Sequence, residues 1–144
     1  MKVALDTSVL VAALVESHPR HDQAFPWLRK IREVEYQGLI AAHSVVETYT
    51  VLSTLPVSPR ITPAAAWALL EHSVLPYVRY VDLAEGAVRS LVERLSRRGF
   101  AGGIVYDALI AAAAIEGGAE YIVTLNANDF RRVVEDNRLE IREP

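Results

Sequence analysis

The stretch IVYDALIAAAAIEGGAEYIVTLNANDF, from Ile104 to Phe130, decides the fold. Its apolar run begins around Asp107 and meets no helix breaker before Gly117 and Gly118. It therefore reads as a helix with Asp107 in the first turn, closed by the two glycines as a left-handed cap. Ala112, Ala113 and Ala114 make this helix thin enough to lie close against a sheet, and Tyr121 to Leu125 reads as a short strand buried on both faces. Directly after it come Asn126, Ala127, Asn128, Asp129 and Phe130. In an open parallel sheet ligands gather beyond the carboxyl ends of the strands, so Asn126 and Asp129 stand where polar side chains become functional.

The N-terminus repeats this junction. Lys2 to Leu5 is an apolar strand running into Asp6, Thr7 and Ser8, and Val9 to Val15 starts an apolar helix. Asp6 is either a helix cap or a second acid on the same rim. Arg20 to Glu35 is amphipathic, with Phe25, Leu28 and Ile31 on one face and Pro26 expected either to kink the helix or to begin it anew. Gly38 closes that connection and Leu39 to Ala42 reads as a second strand. Ser44-Val-Val-Glu47 then opens a helix through Leu55. Glu47 fits a capping box with Ser44 or, equally, an acid pointing into the crevice of Asp6.

Pro56 to Pro63 is a connection, with Thr62 as cap and Pro63 at the first position of a helix reaching His72. Trp67, Leu69 and Leu70 are expected inside. Tyr77 to Leu83 is a third strand, and Glu85 to Arg98 a helix with Val88, Leu91, Val92 and Leu95 on its apolar face. The segment from Arg97 and Arg98 to Gly103 is either ordinary C-terminal capping or a flexible basic loop holding a phosphate backbone. Arg131 to Asp136 reads as a short helix and Leu139 to Ile141 as an edge strand. Strands alternating with helices predict one α/β domain over residues 1–144, a mainly parallel sheet of about five strands flanked by helices.

With 144 residues and 51% hydrophobic content, the chain suits one core. The absence of cysteine excludes disulfides, thiol catalysis and the common structural zinc sites. Four histidines without helical pairing make a histidine metal site a poor fit. No apolar run approaches the roughly 20 residues of a membrane span, and no signal peptide is visible, so a soluble cytoplasmic protein is expected. The net charge of -3 lacks the basic surplus usual in nucleic-acid binders, although 13 of the 15 basic residues are arginine, suited to forked phosphate contacts.

Asp6, Glu47, Asp107 and Asp129 all fall at strand ends or in first helical turns. A shared rim explains this placement. Two like charges at about 4 Å cost ~1 kcal/mol in water and roughly 4 kcal/mol at an effective dielectric of about 20, so the cluster needs a cation. Oxygen ligands without cysteine or paired histidine select a hard ion, Mg²⁺ or Mn²⁺. The chemistry implied is metal-assisted phosphodiester hydrolysis. A receiver-like Mg²⁺-binding module is the competing class, but it calls for a second acid beside Asp6 and a late lysine. Thr7 follows Asp6, and the only lysines are Lys2 and Lys30.

The motifs V-A-L-D-T-S at Asp6, the isolated Glu47, Y-D-A-L-I-A-A-A-A at Asp107 and V-T-L-N-A-N-D-F at Asn126 to Phe130 resemble those of PIN-domain ribonucleases. The similarity is specifically to VapC-like toxins of type II toxin-antitoxin systems, and it spans essentially the whole chain. The resemblance implies a three-layer sandwich, a divalent metal held by Asp6, Glu47, Asp107 and Asp129, and endonucleolytic RNA cleavage. It also implies a homodimer and a cognate antitoxin. Thr7, Ser8, Thr124 and Asn126 become supporting groups, with Arg97, Arg98 and Arg131 as candidate RNA contacts. Where the family pattern often has an acid, this chain has Asn126, so the fourth ligand is either Asn126 or Asp129. Val9 to Val15 and Tyr49 to Leu55 are the expected walls of an antitoxin groove. A catalytically silent PIN-like scaffold is the remaining alternative.

Overall fold

In the computed structural model, which describes residues 1–144, β1 (Lys2–Leu5) lies at the centre of the sheet and passes through Asp6 into α1 (Thr7–Leu14). Val3 and Leu5 join the core on one face of the sheet and Ala4 the core on the other, the two-residue period of a strand covered on both sides. β2 (Gln37–Ala41) and β4 (Tyr121–Val123) flank β1, while β3 (Val78–Val81) and β5 (Glu140–Arg142) form the edges. The order is β3-β2-β1-β4-β5 and every pairing is parallel.

On one face sit α1, α2 (His21–Arg32), α3 (Ala42–Thr54) and α4 (Pro63–Ser73); on the other sit α5 (Glu85–Arg97), α6 (Ile104–Glu116) and α7 (Ala127–Val133). The expected three-layer sandwich is thus the observed one. α6 lies on the sheet through Ile110, Ala111, Ala113 and Ala114, which meet Ala4, Leu39 and Ile122. Its small side chains permit that approach. Gly118 takes φ 76° at its end. Gly118 N–H donates to Ile115 O at 3.0 Å and Ala119 N–H to Ala114 O at 2.9 Å, the paired bonds of a Schellman cap. Fully buried Phe130 pins α7 against the same core. No helix is long and apolar enough to cross a membrane.

Several local expectations are corrected. Pro26 lies inside α2, which begins at His21 and not anew at the proline. Gly38 is part of β2, and α3 starts at Ala42 because β2 runs straight into it. Ser44 is therefore a buried helix-interior residue, not a cap, and no capping box forms. α7 starts at Ala127 rather than Arg131, since Asn126 accepts the amides of Asp129 and Phe130 at its own carbonyl. Trp67 is 45% exposed, and Val88 and Val92 are also exposed while Leu91 and Leu95 carry the packing of α5. Thr62 and Pro63 open α4 as expected, with Thr62 Oγ1 accepting from Ala65 N–H at 3.1 Å.

Gly38 is fixed by packing rather than by backbone angle. A Cβ there would stand 2.6 Å from Ile31 Cγ2, a methyl of a buried β-branched side chain that cannot swing away. Gly38→Ala is expected to destabilise the fold by about 1–3 kcal/mol, the usual range for overpacking. A thermal melt unchanged from wild type would show that α2 moves off the sheet freely.

Candidate active site

β1 leads to β2 on one side, whereas the connection from β3 to β4 crosses to the other side of β1. The switch point between β1 and β4 opens a crevice beyond their carboxyl ends. Asp6 and Thr124 stand at those two ends. Asp107 enters from the first turn of α6 and Glu47 from the second turn of α3. Asp6, Glu47, Asp107 and Asn126 line one cleft of about 310 Å³, with Val11, Val51 and Leu55 as its apolar wall.

Asp6 is 2% exposed and both carboxylate oxygens are held. Oδ1 accepts from Thr7 N–H at 2.7 Å; Oδ2 accepts from Ser8 Oγ at 2.6 Å and Thr124 Oγ1 at 2.8 Å. Ser8 Oγ in turn accepts from Leu125 N–H at 3.1 Å, and Thr124 Oγ1 from Asn126 N–H at 2.9 Å. With their acceptor sides engaged by amides, both hydroxyls point their protons at Asp6. Asp6 is thus both helix cap and cleft acid. Thr7 supports it through its amide, because the Thr7 hydroxyl is buried with no protein partner, as are those of Ser44 and Thr48. Burial pushes the Asp6 carboxyl above its ordinary range despite these bonds, and the Glu47 charge adds to the rise.

Asp107 shows that the acids converge. Burial first, then the charges of Asp6, Asp129 and Glu47, push its carboxyl up to about 7. Asp129 acts from the first turn of α7, half exposed, with Arg132 Nη1 at 3.8 Å from its Oδ1. It influences Asp107 without lining the cleft. Asn126 lines the cleft and its side chain makes no capping bond.

Two groups escaped the sequence reading. His43 Nε2 lies 2.8 Å from Glu47 Oε2 on α3, and its ring stacks on Tyr106, at 4.8 Å between centroids and 5° between planes. His18 lines the cleft, its Nδ1 accepting from Arg20 N–H at 3.0 Å. The i, i+4 spacing of His43 and Glu47 was a usable signal; His18 had none. The arginines do not line the cleft. Arg97 pairs with Glu93, and Arg131 donates to Asn128 Oδ1 at 3.2 Å. Arg98 braces α7 by donating to the Arg132 carbonyl at 2.8 Å, and Phe100 packs against both guanidinium groups.

The donors fit a hard divalent cation. They are oxygens and they carry surplus negative charge: after burial, the charges of Asp6, Asp129 and Glu47 raise the Asp107 carboxyl. As placed, no three of the His, Asp and Glu side chains stand close enough together to hold one ion, so binding through Asp6, Glu47 and Asp107 requires their side chains to close on it.

A PIN domain profile matches residues 3–136. The chain belongs to the PIN domain family. Among PIN domain relatives it is 34% identical over 139 residues to Ribonuclease VapC40 of Mycobacterium tuberculosis, covering 96% of this chain and 95% of that one. Its fold is similar to two solved structures. One is Mycobacterium tuberculosis VapC20, described as a sarcin-ricin loop cleaving toxin, with TM-score 0.70, 18% identity, and coverage of 91% of this chain and 95% of that one. The other is VapBC2 from Rickettsia felis bound to a promoter DNA fragment, with TM-score 0.66, 20% identity, and coverage of 99% and 98%.

Proposed function

We propose that this protein is a metal-dependent endoribonuclease that hydrolyses RNA phosphodiester bonds as the toxin of a VapBC pair. The reading rests on Asp6, Glu47 and Asp107, drawn from three parts of the chain, lining one crevice at the switch point, with the Asp129 charge acting on Asp107 from a fourth. Similarity to a VapC ribonuclease over nearly the whole chain supports RNA as the substrate.

Asp6, Glu47 and Asp107 would hold the ion, with Asp129 or Asn126 as the fourth group. Bound Mg²⁺ or Mn²⁺ supplies Lewis acidity toward phosphate oxygens and offsets the repulsion among the acids. Asp6 arrives fixed by three donors, so it needs no reorganisation when charge develops nearby. Val11, Val51 and Leu55 exclude water from one side and strengthen every charge interaction in the cleft. Exposed Arg131, on the same short helix as Asp129, is assigned to the RNA backbone together with exposed Arg97. Arg98 serves it indirectly by bracing α7.

The cognate antitoxin is assigned to the exposed apolar strip of α3 and α4, where Val46, Tyr49 and Trp67 flank Pro63 and Ala64. Val9 to Val15 is not part of that surface, because α1 is buried there except for half-buried Leu14. Homodimerisation belongs to the same reading.

The test is RNA cleavage by purified protein with and without Mg²⁺ or Mn²⁺, with the fragment ends mapped. Products that form equally well in a chelator would overturn the metal assignment. Metal titrations also separate Asn126 from Asp129. Asn126 faces the cleft but is neutral, whereas Asp129 already acts on Asp107 through its charge. Asp129→Asn is expected to raise the Mg²⁺ requirement more than Asn126→Ala, and Asn126→Asp to preserve activity or tighten the metal. A larger loss for Asn126→Ala would make Asn126 the ligand.

A further inference from the structure

α3 and α6 carry Glu47 and Asp107 into the cleft, yet the two helices do not pack along their lengths. What joins them at the rim is a chain of side chains. Glu47 Oε2 meets His43 Nε2 at 2.8 Å, and the His43 ring lies parallel to that of Tyr106 at 4.8 Å. Tyr106 immediately precedes Asp107 in the first turn of α6. Tyr106 remains 52% exposed, so burial of a hydrophobic ring does not account for this placement.

We propose that His43 and Tyr106 form a positioning clamp that sets the Glu47 carboxylate against Asp107 and thereby fixes the metal-binding geometry. Glu47 is a flexible side chain entering from the second turn of its helix, free to rotate toward solvent. The His43 bond holds its terminal oxygen, and the stack holds His43. Each link removes rotamer freedom that metal binding must otherwise remove. Because Tyr106 and Asp107 share one helical turn, the stack also ties the position of α3 to that of α6. The inference rests on the proposed metal-dependent function, so its test reads metal binding directly, without RNA.

The experiment is Mn²⁺ titration of the purified protein, by calorimetry or by the paramagnetic signal of the free ion, with His43→Ala, Tyr106→Leu, Tyr106→Phe and the His43→Ala/Tyr106→Leu double variant. Thermal melts of the metal-free proteins check folding. Tyr106 is exposed and His43 half-buried, and neither belongs to a core cluster, so their removal leaves the core intact. His43→Ala is expected to weaken Mn²⁺ binding about 10-fold or more, within the range for groups that orient metal ligands. Tyr106→Leu is expected to weaken it by a smaller factor, and Tyr106→Phe, which keeps the ring, to restore the affinity lost in Tyr106→Leu. Since both residues act through one linkage, the double variant should lose less than the product of the single losses. Wild-type Mn²⁺ affinity in folded His43→Ala overturns the clamp, as do fully multiplicative losses. A wild-type protein that binds no Mn²⁺ at millimolar concentration overturns the metal reading and the clamp together. Mn²⁺ binding that depends on His43 in a protein that cuts no RNA sustains the clamp and overturns the nuclease reading alone.

Discussion

Asp107→Asn is expected to abolish RNA cleavage while making the metal-free protein more stable. The two effects share one cause. Asp107 enters a partly buried site already occupied by the charges of Asp6, Asp129 and Glu47, and its carboxyl is pushed up to about 7 against 3.8 for the free group. Between those values the folded state binds more protons than the unfolded chain, so this group's contribution to stability is fully present below about 3.8 and is lost as the pH rises through about 7. Asparagine removes the dependence. The variant should therefore match wild type near pH 4 and melt a few degrees higher near pH 8, in chelator, for a domain of this size. Mg²⁺ reverses the order. An ion that binds only the folded wild type raises its melting temperature by mass action, and the variant lacks a ligand to respond. Cleavage at saturating Mg²⁺ should fall about a thousandfold, equivalent to ~4 kcal/mol of transition-state stabilisation at roughly 1.4 kcal/mol per decade. Wild-type cleavage in Asp107→Asn at saturating metal would remove Asp107 from the mechanism. A wild-type melt that is flat from pH 4 to 8 in chelator would show that the acids stand further apart than the structure has them.

The central helix and its end were legible because the cause is local: an alanine-rich apolar run stops at two glycines, and Gly118 adopts the left-handed angle that such a stop uses. The parallel sheet followed from alternation, and the rim of acids from their repeated position after strands. Local pattern misled where a tertiary arrangement overrode it. Ser44 and Glu47 have capping-box spacing, but β2 passes into α3 without a loop, which moves the helix start to Ala42 and buries Ser44. Asn126 to Asp129 reads as a polar tip, yet Asn126 opens a seven-residue helix through its carbonyl and without a side-chain cap. The bonds of Arg98 to the α7 carbonyls were not legible because their partners are more than thirty residues away. The stack of His43 on Tyr106 joins two helices that only the fold brings together, and no spacing rule announces it.

Thr124→Val tests whether the hydroxyls around Asp6 set its charge. Thr124 is fully buried, and valine matches its shape, so the substitution removes the hydroxyl and little else. Two bonds go with it. Asp6 Oδ2 keeps only the Ser8 donor, and the Asn126 amide loses the acceptor that fixes the start of α7. Leaving that amide unpaired is expected to cost about 1–3 kcal/mol of stability. The larger effect is electrostatic. Burial already holds the Asp6 carboxyl above its ordinary range, and the Thr124 bond is among the forces opposing that rise. Without it the carboxyl rises further, and the metal competes against a more tightly held proton. The Mg²⁺ requirement for cleavage should increase about 10- to 100-fold at pH 7, the span found when groups that orient metal ligands are lost, and part of that loss should return as the pH is raised. Thr124→Ser, which restores a donor and an acceptor, should recover most of the affinity at pH 7. If Thr124→Val needs no more Mg²⁺ than wild type at any pH, the Ser8 hydroxyl and the Thr7 amide suffice to hold Asp6, and Thr124 serves only to start α7.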